Sequence, residues 1–159
     1  MEIKFWKDRD NKLVEPDLFS NVAWELAKDI AKESNDRTNT PTQLRKFYDE
    51  IIRFDGIIKT KPEEFDQLLP YIKMLNAKAA YAHARESGGK PLISQKFKDF
   101  ISSGLKNVNS KDDFDVLSSF FEAFMGFYKF EYEERKKEMK QQREHSQHSQ
   151  NFNRGGQRR

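Results

Sequence analysis

The sequence predicts an all-α protein, a five-helix antiparallel bundle with a long aromatic-rich C-terminal helix. Three observations lead to this fold class. Apolar side chains recur at three- and four-residue steps in five segments, which is the spacing of one helix face. Three of these segments open with a hydroxyl residue and, three residues on, an acid or amide, which is the pattern of a helix start. The connectors are short, as in antiparallel helical domains.

The first two helices are indicated by a proline and by a capping pattern. Pro16 is favoured at the first helical position, and the apolar stripe that follows it runs to about Glu33. Thr40 supplies a hydroxyl for orphan backbone amides, and Gln43 completes the capping pattern. The second apolar stripe then continues to Ile58.

The third helix is expected to open at Thr60 and Glu63, which repeat the capping pattern. Pro70 should break or kink it, because proline removes a backbone hydrogen bond and clashes with the preceding turn. From Pro70 to about Glu86 the chain is rich in alanine and predicts helix, and residues 87–91, with two glycines, end it.

Two further apolar stripes predict the fourth and fifth helices. The fourth runs from Ile93 to Leu105, and the last extends from a cap formed by Ser110 and Asp113 to about Met139. The last helix is the richest in aromatic residues.

These bounds divide the chain into three regions. Residues 1–15 form an N-terminal arm whose weak alternation leaves open a strand or an irregular segment. Residues 16–139 form the helical domain. Residues 140–159 are rich in Gln and Arg, lack periodicity and predict a disordered basic tail. The net charge is +3, and the tail alone contributes five basic residues against one acid, so the rest of the chain is nearly balanced.

The last helix carries more rings than one helix face holds. Phe120, Phe127 and Phe130 lie beside or beyond the stripe that would face a core. One interpretation is a central helix enclosed by the other four. The other is that these three rings contact another subunit, and we take them as candidate interface residues.

Composition and motifs argue against an enzyme. The chain has no cysteine, which excludes disulfides, thiol catalysis and cysteine-bound metal sites. His83 stands alone on a helix, and Gly88-Gly89-Lys90 lacks the upstream glycine and the following Ser or Thr of a phosphate loop. We therefore expect no catalytic residue, no metal and no cofactor. With no apolar segment of bilayer length and no secretion signal, we expect no membrane contact and a cytoplasmic protein.

The basic residues that bear on function lie on the predicted second and third helices. A helical wheel of the third helix places its apolar arc on Tyr71, Leu75, Ala79 and Ala82. Lys78 and Arg85 are seven residues apart and fall at the margin of this arc. One alternative is that they are partly buried and paired with an acid such as Glu50 or Asp55. The other is a groove in which they flank Tyr81 and bind phosphates.

The second helix carries a matching set of cations. Lys46 and Arg53 are also seven residues apart and point away from the apolar stripe, and Arg45 lies on its flank. Alone this is an ordinary solvated face, but beside the third helix it would extend one basic track. The tyrosines of this region, Tyr48 and Tyr81, are expected to lie in the core rather than to stack on bases.

Three blocks resemble one protein family. The block Thr40–Asp49 (TPTQLRKFYD) closely resembles the signature opening of the small subunit of type III-A (Csm) CRISPR effector complexes. The blocks Lys78–Arg85 and Phe120–Lys129 agree with it in order, and the resemblance covers about residues 18–130.

The resemblance implies a small all-helical subunit without catalytic activity. Such subunits stack in copies beside a filament of larger RNA-binding backbone subunits, and they line the path of the target RNA paired to the guide. Because base pairing reads the sequence, backbone contacts suffice. The partners implied are target RNA, as heteroduplex or single strand, the backbone and large subunits, and further copies of the chain. The nucleic-acid contacts predicted are Arg45, Lys46, Lys78 and Arg85 by motif position, and Arg53 by helical placement.

Two rival interpretations remain open. In one, the chain is a helical dimerisation or protein-interaction module whose cations form structural ion pairs. In the other, only the tail binds nucleic acid, since its Arg-Gly-Gly-Gln-Arg-Arg end resembles arginine-rich disordered binders.

Overall fold

A computed structural model describes residues 1–155 of the chain. The protein is mostly helical, with two small two-stranded sheets. Residues 156–159, the end of the predicted tail, lie outside the described residues. The helices are α1 (Ala23–Lys32), α2 (Pro41–Thr60), α3 (Phe65–Lys73), α4 (Leu75–Ala84), α5 (Gln95–Lys106) and α6 (Lys111–Gly155), and the strands are β1 (Trp6–Asp8), β2 (Leu13–Val14), β3 (Glu86–Ser87) and β4 (Lys90–Pro91).

Helix is present in all five predicted segments, but two of them are divided. A π-helical turn, Leu18–Val22, precedes α1, and a 3-10 turn, Pro62–Glu64, precedes α3. The break in the third segment falls at Met74 and not at Pro70. Helix α3 continues past the proline to Lys73, and the Met74 N–H donates to the Pro70 carbonyl at 3.0 Å. The antiparallel bundle itself stays a prediction.

The capping predictions have mixed outcomes. The hydroxyl of Thr40 accepts from the Gln43 N–H at 3.3 Å, as expected. The hydroxyl of Ser110 accepts from the Asp113 N–H at 3.2 Å, and the Asp113 carboxylate accepts from the Ser110 N–H at 3.0 Å. The cap predicted at Thr60 is wrong, because Thr60 is the last residue of α2.

Helix α6 lies at the centre of the fold. It packs along α1 and α2, while α4 packs against α5. The core between α5 and α6 contains a cluster of four rings, with centroids 4.9 to 6.3 Å apart. Its members are Phe97, Phe100, Phe121 and Phe124. Phe120 is fully buried beside them, 5.7 Å from Phe100. Phe120 therefore offers no surface to a partner, which corrects its assignment to the interface.

The N-terminal arm is a β-hairpin fixed to the helical core. Strands β1 and β2 pair antiparallel, and the preceding Ile3 and Phe5 are buried. The buried carboxylate of Asp113, at the start of α6, accepts from the Trp6 indole N–H at 2.8 Å and from the Arg9 guanidinium at 2.9 Å. One carboxylate thus both caps α6 and attaches the hairpin.

Acidification is expected to release this hairpin. Burial raises the pKa of Asp113, but hydrogen bonds from Trp6, Asn109 and Arg9 outweigh it and leave the pKa below its usual value. The stabilisation is therefore complete above about pH 4, the pKa of an unfolded aspartate, and is lost as the pH falls through the lower folded pKa. Trp6 fluorescence in a Trp24→Phe background measures the release.

The matched variant for this prediction is Asp113→Asn. It should lower the free energy of unfolding by about 1–3 kcal/mol at neutral pH, because a charged acceptor with several donors is lost. It should also weaken the acid-dependent fluorescence change. An acid profile identical to that of the Trp24→Phe parent would contradict the role given to this carboxyl.

A buried asparagine joins four parts of the chain. Asn39 has a positive φ of 55° just before α2, and its N–H donates to the Leu92 carbonyl at 3.0 Å. Its amide donates to the Ser94 hydroxyl at 2.9 Å and the Ile30 carbonyl at 3.4 Å, and its side-chain oxygen accepts from the Ser94 N–H at 2.8 Å. The Tyr128 hydroxyl of α6 donates to its carbonyl. Asn39 thereby aligns the starts of α2 and α5 with α1 and α6.

The end of α6 differs from the predicted disordered tail. The helix continues to Gly155, and every side chain from Lys140 to Arg154 is exposed. Gln, Lys, Glu and Arg are good helix formers, and extending an existing helix avoids the cost of nucleation. Among residues 1–155, no helix has the length and apolar character needed to cross a membrane.

Candidate nucleic-acid interface

Two of the predicted basic residues meet at one carboxylate between α2 and α4. Lys78 of α4 lies 3.2 Å from Oε2 of Glu50, and Arg53 of α2 lies 3.1 Å from the same oxygen. The guanidinium of Arg53 also lies over the Phe54 ring, 4.3 Å from its centroid. The two helices thus bring their cationic groups together, and the pairing with Glu50 is the acidic-partner alternative of the sequence analysis.

These ion pairs leave the cations accessible. The side chains of Lys78 and Arg53 are 52% and 54% exposed, whereas Glu50 is 29% exposed. Burial raises the pKa of Glu50, but the hydrogen bonds from Arg53 and Lys78 outweigh it and the pKa lies below its usual value. Exposed ion pairs of this kind contribute about 1 kcal/mol or less. Two cations against one acid leave a net positive charge, so a phosphate can compete with Glu50.

The other three predicted residues lie around this centre with fewer constraints. Lys46 precedes Arg53 by seven residues on the same exposed face of α2, and Arg85 follows Lys78 by seven residues at the end of α4. Among the ion pairs within residues 1–155, neither Lys46 nor Arg85 has a partner. The guanidinium Nε of Arg45 instead lies 3.8 Å from Oδ1 of Asp49 on the same helix.

The tyrosines near these cations differ from the sequence prediction. Tyr81 was expected in the core but is 67% exposed, and Tyr71, placed on the apolar arc, is 59% exposed. Leu75 and Ala79 are buried as predicted. Helix α4 packs against α5, while Tyr81 of α4 and Tyr71 of α3 remain exposed to solvent.

A second exposed surface lies where α1 meets α6. Phe127 stacks on Trp24 of α1 with centroids 5.1 Å apart and planes within 5°, and Phe130 meets the edge of Trp24 at 6.5 Å. Phe130 is 54% exposed and Trp24 40% exposed. We call Trp24, Phe127 and Phe130 the aromatic patch. Trp24 was not among the predicted interface residues, because its only signal in the sequence is a large ring on the polar side of the first helix.

Among residues 1–155, no group of three or more His, Asp or Glu side chains is placed to hold a metal ion. The ring nitrogen Nδ1 of His83 lies 2.9 Å from the Ile93 carbonyl and links α4 to the start of α5.

Comparison with known proteins identifies a family. A family model described as Csm2 Type III-A matches residues 20–135. This range contains all five predicted nucleic-acid-binding residues and all three predicted interface rings, but not the N-terminal hairpin or the exposed end of α6. No curated protein and no solved structure matches the chain.

Proposed function

Because the chain belongs to the Csm2 Type III-A family, the small subunits of type III-A CRISPR effector complexes, we propose that it binds RNA through phosphates without reading sequence. In this role it contacts the target RNA, as guide heteroduplex or single strand, and packs along the filament of backbone subunits in antiviral defence in the cytoplasm. We further propose that it has no catalytic activity of its own, like the family as a whole.

The observation that supports RNA binding is the meeting of Lys78 and Arg53 at Glu50. It brings cations from two helices to one place, and Arg85 and Lys46 extend the charge along both helix axes. Seven residues of helix span about 10 Å, so this basic track can contact several phosphates of one strand. Lysine and arginine side chains bind phosphate oxygens without reading sequence, which agrees with contacts to the backbone alone.

The Arg85→Glu variant is expected to bind a labelled oligouridine about tenfold more weakly than the unaltered chain. The slope of log affinity against log salt concentration should also fall by about one, because one phosphate contact is lost. Fluorescence anisotropy titrations at several salt concentrations measure both quantities. Circular dichroism should be unchanged, since Arg85 is exposed and lies at the end of α4.

Two variants make this test specific. Lys7→Glu changes the net charge equally but lies exposed on β1, and it should leave the affinity almost unchanged. Glu50→Gln should raise the affinity, because Lys78 and Arg53 lose their internal partner. If Arg85→Glu and Lys7→Glu weaken binding equally, the track is not the binding surface. If the unaltered chain shows no affinity or no salt dependence, the RNA-binding proposal fails.

The aromatic patch favours a second candidate function, a helical dimerisation or protein-interaction module without nucleic-acid contact. Its exposed Trp24 and Phe130 are the kind of side chain that is enriched in protein interfaces. This alternative requires concentration-dependent oligomers that are lost in Phe130→Ala, with no retention of RNA. Light scattering combined with a gel shift separates it from the first proposal.

Binding by the end of α6 alone is the third candidate. Lys140, Arg143 and Arg154 are exposed there and contribute nothing to the core. Removal of residues 140–159 should leave the affinity largely intact if the track on α2 and α4 binds the RNA. Loss of binding on this truncation, with Arg85→Glu unaffected, would assign binding to the tail.

A further inference from the structure

One face of α3 and α4 exposes large side chains that the core does not use. Tyr71, Met74 and Tyr81 are 59%, 50% and 67% exposed, and Lys78 and Arg85 are exposed in the same row. The five residues follow one another at alternating steps of three and four. At 100° per residue they fall within an arc of about 80°. We call these five residues the α3–α4 stripe.

The break between the two helices does not interrupt this stripe. Met74 keeps right-handed helical dihedrals of −63° and −16°. Its N–H donates to the Pro70 carbonyl at 3.0 Å, and its own carbonyl accepts from the Lys78 N–H at 3.2 Å. The helical phase therefore continues from α3 into α4, and the two tyrosines lie about 15 Å apart along the helix axis.

The surroundings of Tyr81 leave its ring free. The residues one turn before it are Ala77 and Lys78, and those one turn after it are Ala84 and Arg85. The alanines are too small to cover a ring face. The two cations extend from positions on either side of the ring. An aromatic face between two positive charges is the combination with which proteins hold an unpaired base and the phosphates on either side of it.

The positive charge of the α3–α4 stripe and its surroundings favours a polyanion as the ligand. From Gln67 to Arg85 there is no acidic residue, whereas Lys73, Lys78 and Arg85 are basic. Within residues 1–155, the one carboxylate that pairs with a residue of the stripe is Glu50 of α2, at Lys78. A flat ring without a charge requirement would suit any apolar partner, but the cations on both sides of it favour a strand that carries both phosphates and bases.

We propose that Tyr81 stacks on an unpaired base while Lys78 and Arg85 hold the adjacent phosphates, so that the chain prefers single-stranded RNA to a duplex. This inference rests on the proposed function and adds a preference that phosphate contacts alone do not give. Tyr71, on the same stripe, provides a second ring for a base further along the strand. Because every base has a face to stack, no sequence preference results.

The test compares the full-length chain with Tyr81→Ala, Tyr81→Phe and Phe130→Ala on three ligands. These are a labelled oligouridine, an abasic strand of the same length, and a duplex of matched length. Tyr81→Ala should weaken binding to the oligouridine about tenfold and leave both the abasic affinity and the salt slope unchanged. Tyr81→Phe keeps the ring and should bind as the unaltered chain does. Phe130→Ala removes an exposed ring from another surface and should have no effect.

The outcomes separate this inference from the proposed function. If Tyr81→Ala binds every ligand as the unaltered chain does, while Arg85→Glu still weakens binding, base stacking is wrong and the phosphate track stands. If the unaltered chain binds the abasic strand or the duplex as well as the oligouridine, stacking is also wrong. If it binds none of the three, the proposed function fails. If Tyr81→Ala abolishes self-association in light scattering and leaves RNA binding intact, the stripe is a protein interface.

Discussion

Phe100→Ala is expected to lower the free energy of unfolding by about 3–5 kcal/mol, the usual cost of deleting a fully buried phenyl ring. Phe100 has no exposed surface, and its ring centroid lies within 5.8 Å of four others. The cavity would be lined by Phe97 of α5 and by rings of α6, which are held by their own contacts and can collapse only in part. Urea denaturation followed by circular dichroism measures the change.

Two further variants test whether the cavity is the cause. Phe100→Leu keeps most of the apolar volume and should recover a large part of the lost stability. Phe130→Ala deletes the same ring from an exposed position and should cost less than about 1 kcal/mol. A Phe100→Ala protein no less stable than the Phe130→Ala protein would contradict the central place given to the α5–α6 core.

Asn39→Ala is expected to lower the free energy of unfolding by about 2–4 kcal/mol. The variant leaves the buried Ser94 N–H without its acceptor and removes one of the two donors to the Ser94 hydroxyl, which keeps the Phe97 N–H. It also places alanine at a φ of 55°, which asparagine tolerates better. The same denaturation experiment measures the loss.

Two substitutions at this position divide the effect between its causes. Asn39→Gly accepts the positive φ but lacks the amide, so it should retain the hydrogen-bond part of the loss. Asn39→Asp keeps the acceptor for the Ser94 N–H and should be less harmful if that bond dominates. Equal stability of the glycine variant and the unaltered protein would show that backbone strain, and not the buried network, explains the alanine result.

The helical part of the fold could be predicted because it depends on local pattern. Apolar spacing located all the helical segments, and hydroxyl caps located the starts of α2 and α6. The division at Met74 and the π-helical turn before α1 do not interrupt the apolar spacing, so the spacing does not reveal them. The N-terminal hairpin could not be predicted, because its attachment depends on Asp113, more than a hundred residues away.

The candidate site could be predicted in part for a similar reason. Seven-residue spacing correctly placed Lys46 and Arg53 on one face of α2, and Glu50 was foreseen as one partner for Lys78. The helical wheel was wrong for Tyr71, and the separate expectation of a core position was wrong for Tyr81, because leucine and alanine mark the buried side here and the rings do not. The prediction was wrong for Phe120 because α6 is enclosed on more than one side, so residues beside its main stripe are also buried.

The length of α6 gives its two ends unlike dynamic properties. At 45 residues it is about 67 Å long, yet its contacts with the aromatic core are confined to the first half. We expect amides near Phe121 to exchange with solvent only when the whole domain opens. Those of residues 141–155 are protected only by hydrogen bonds of the exposed helix, and we expect them to exchange by fraying. Helix α6 therefore joins a segment that we expect to unfold only with the whole domain to a segment that we expect to unfold and refold locally.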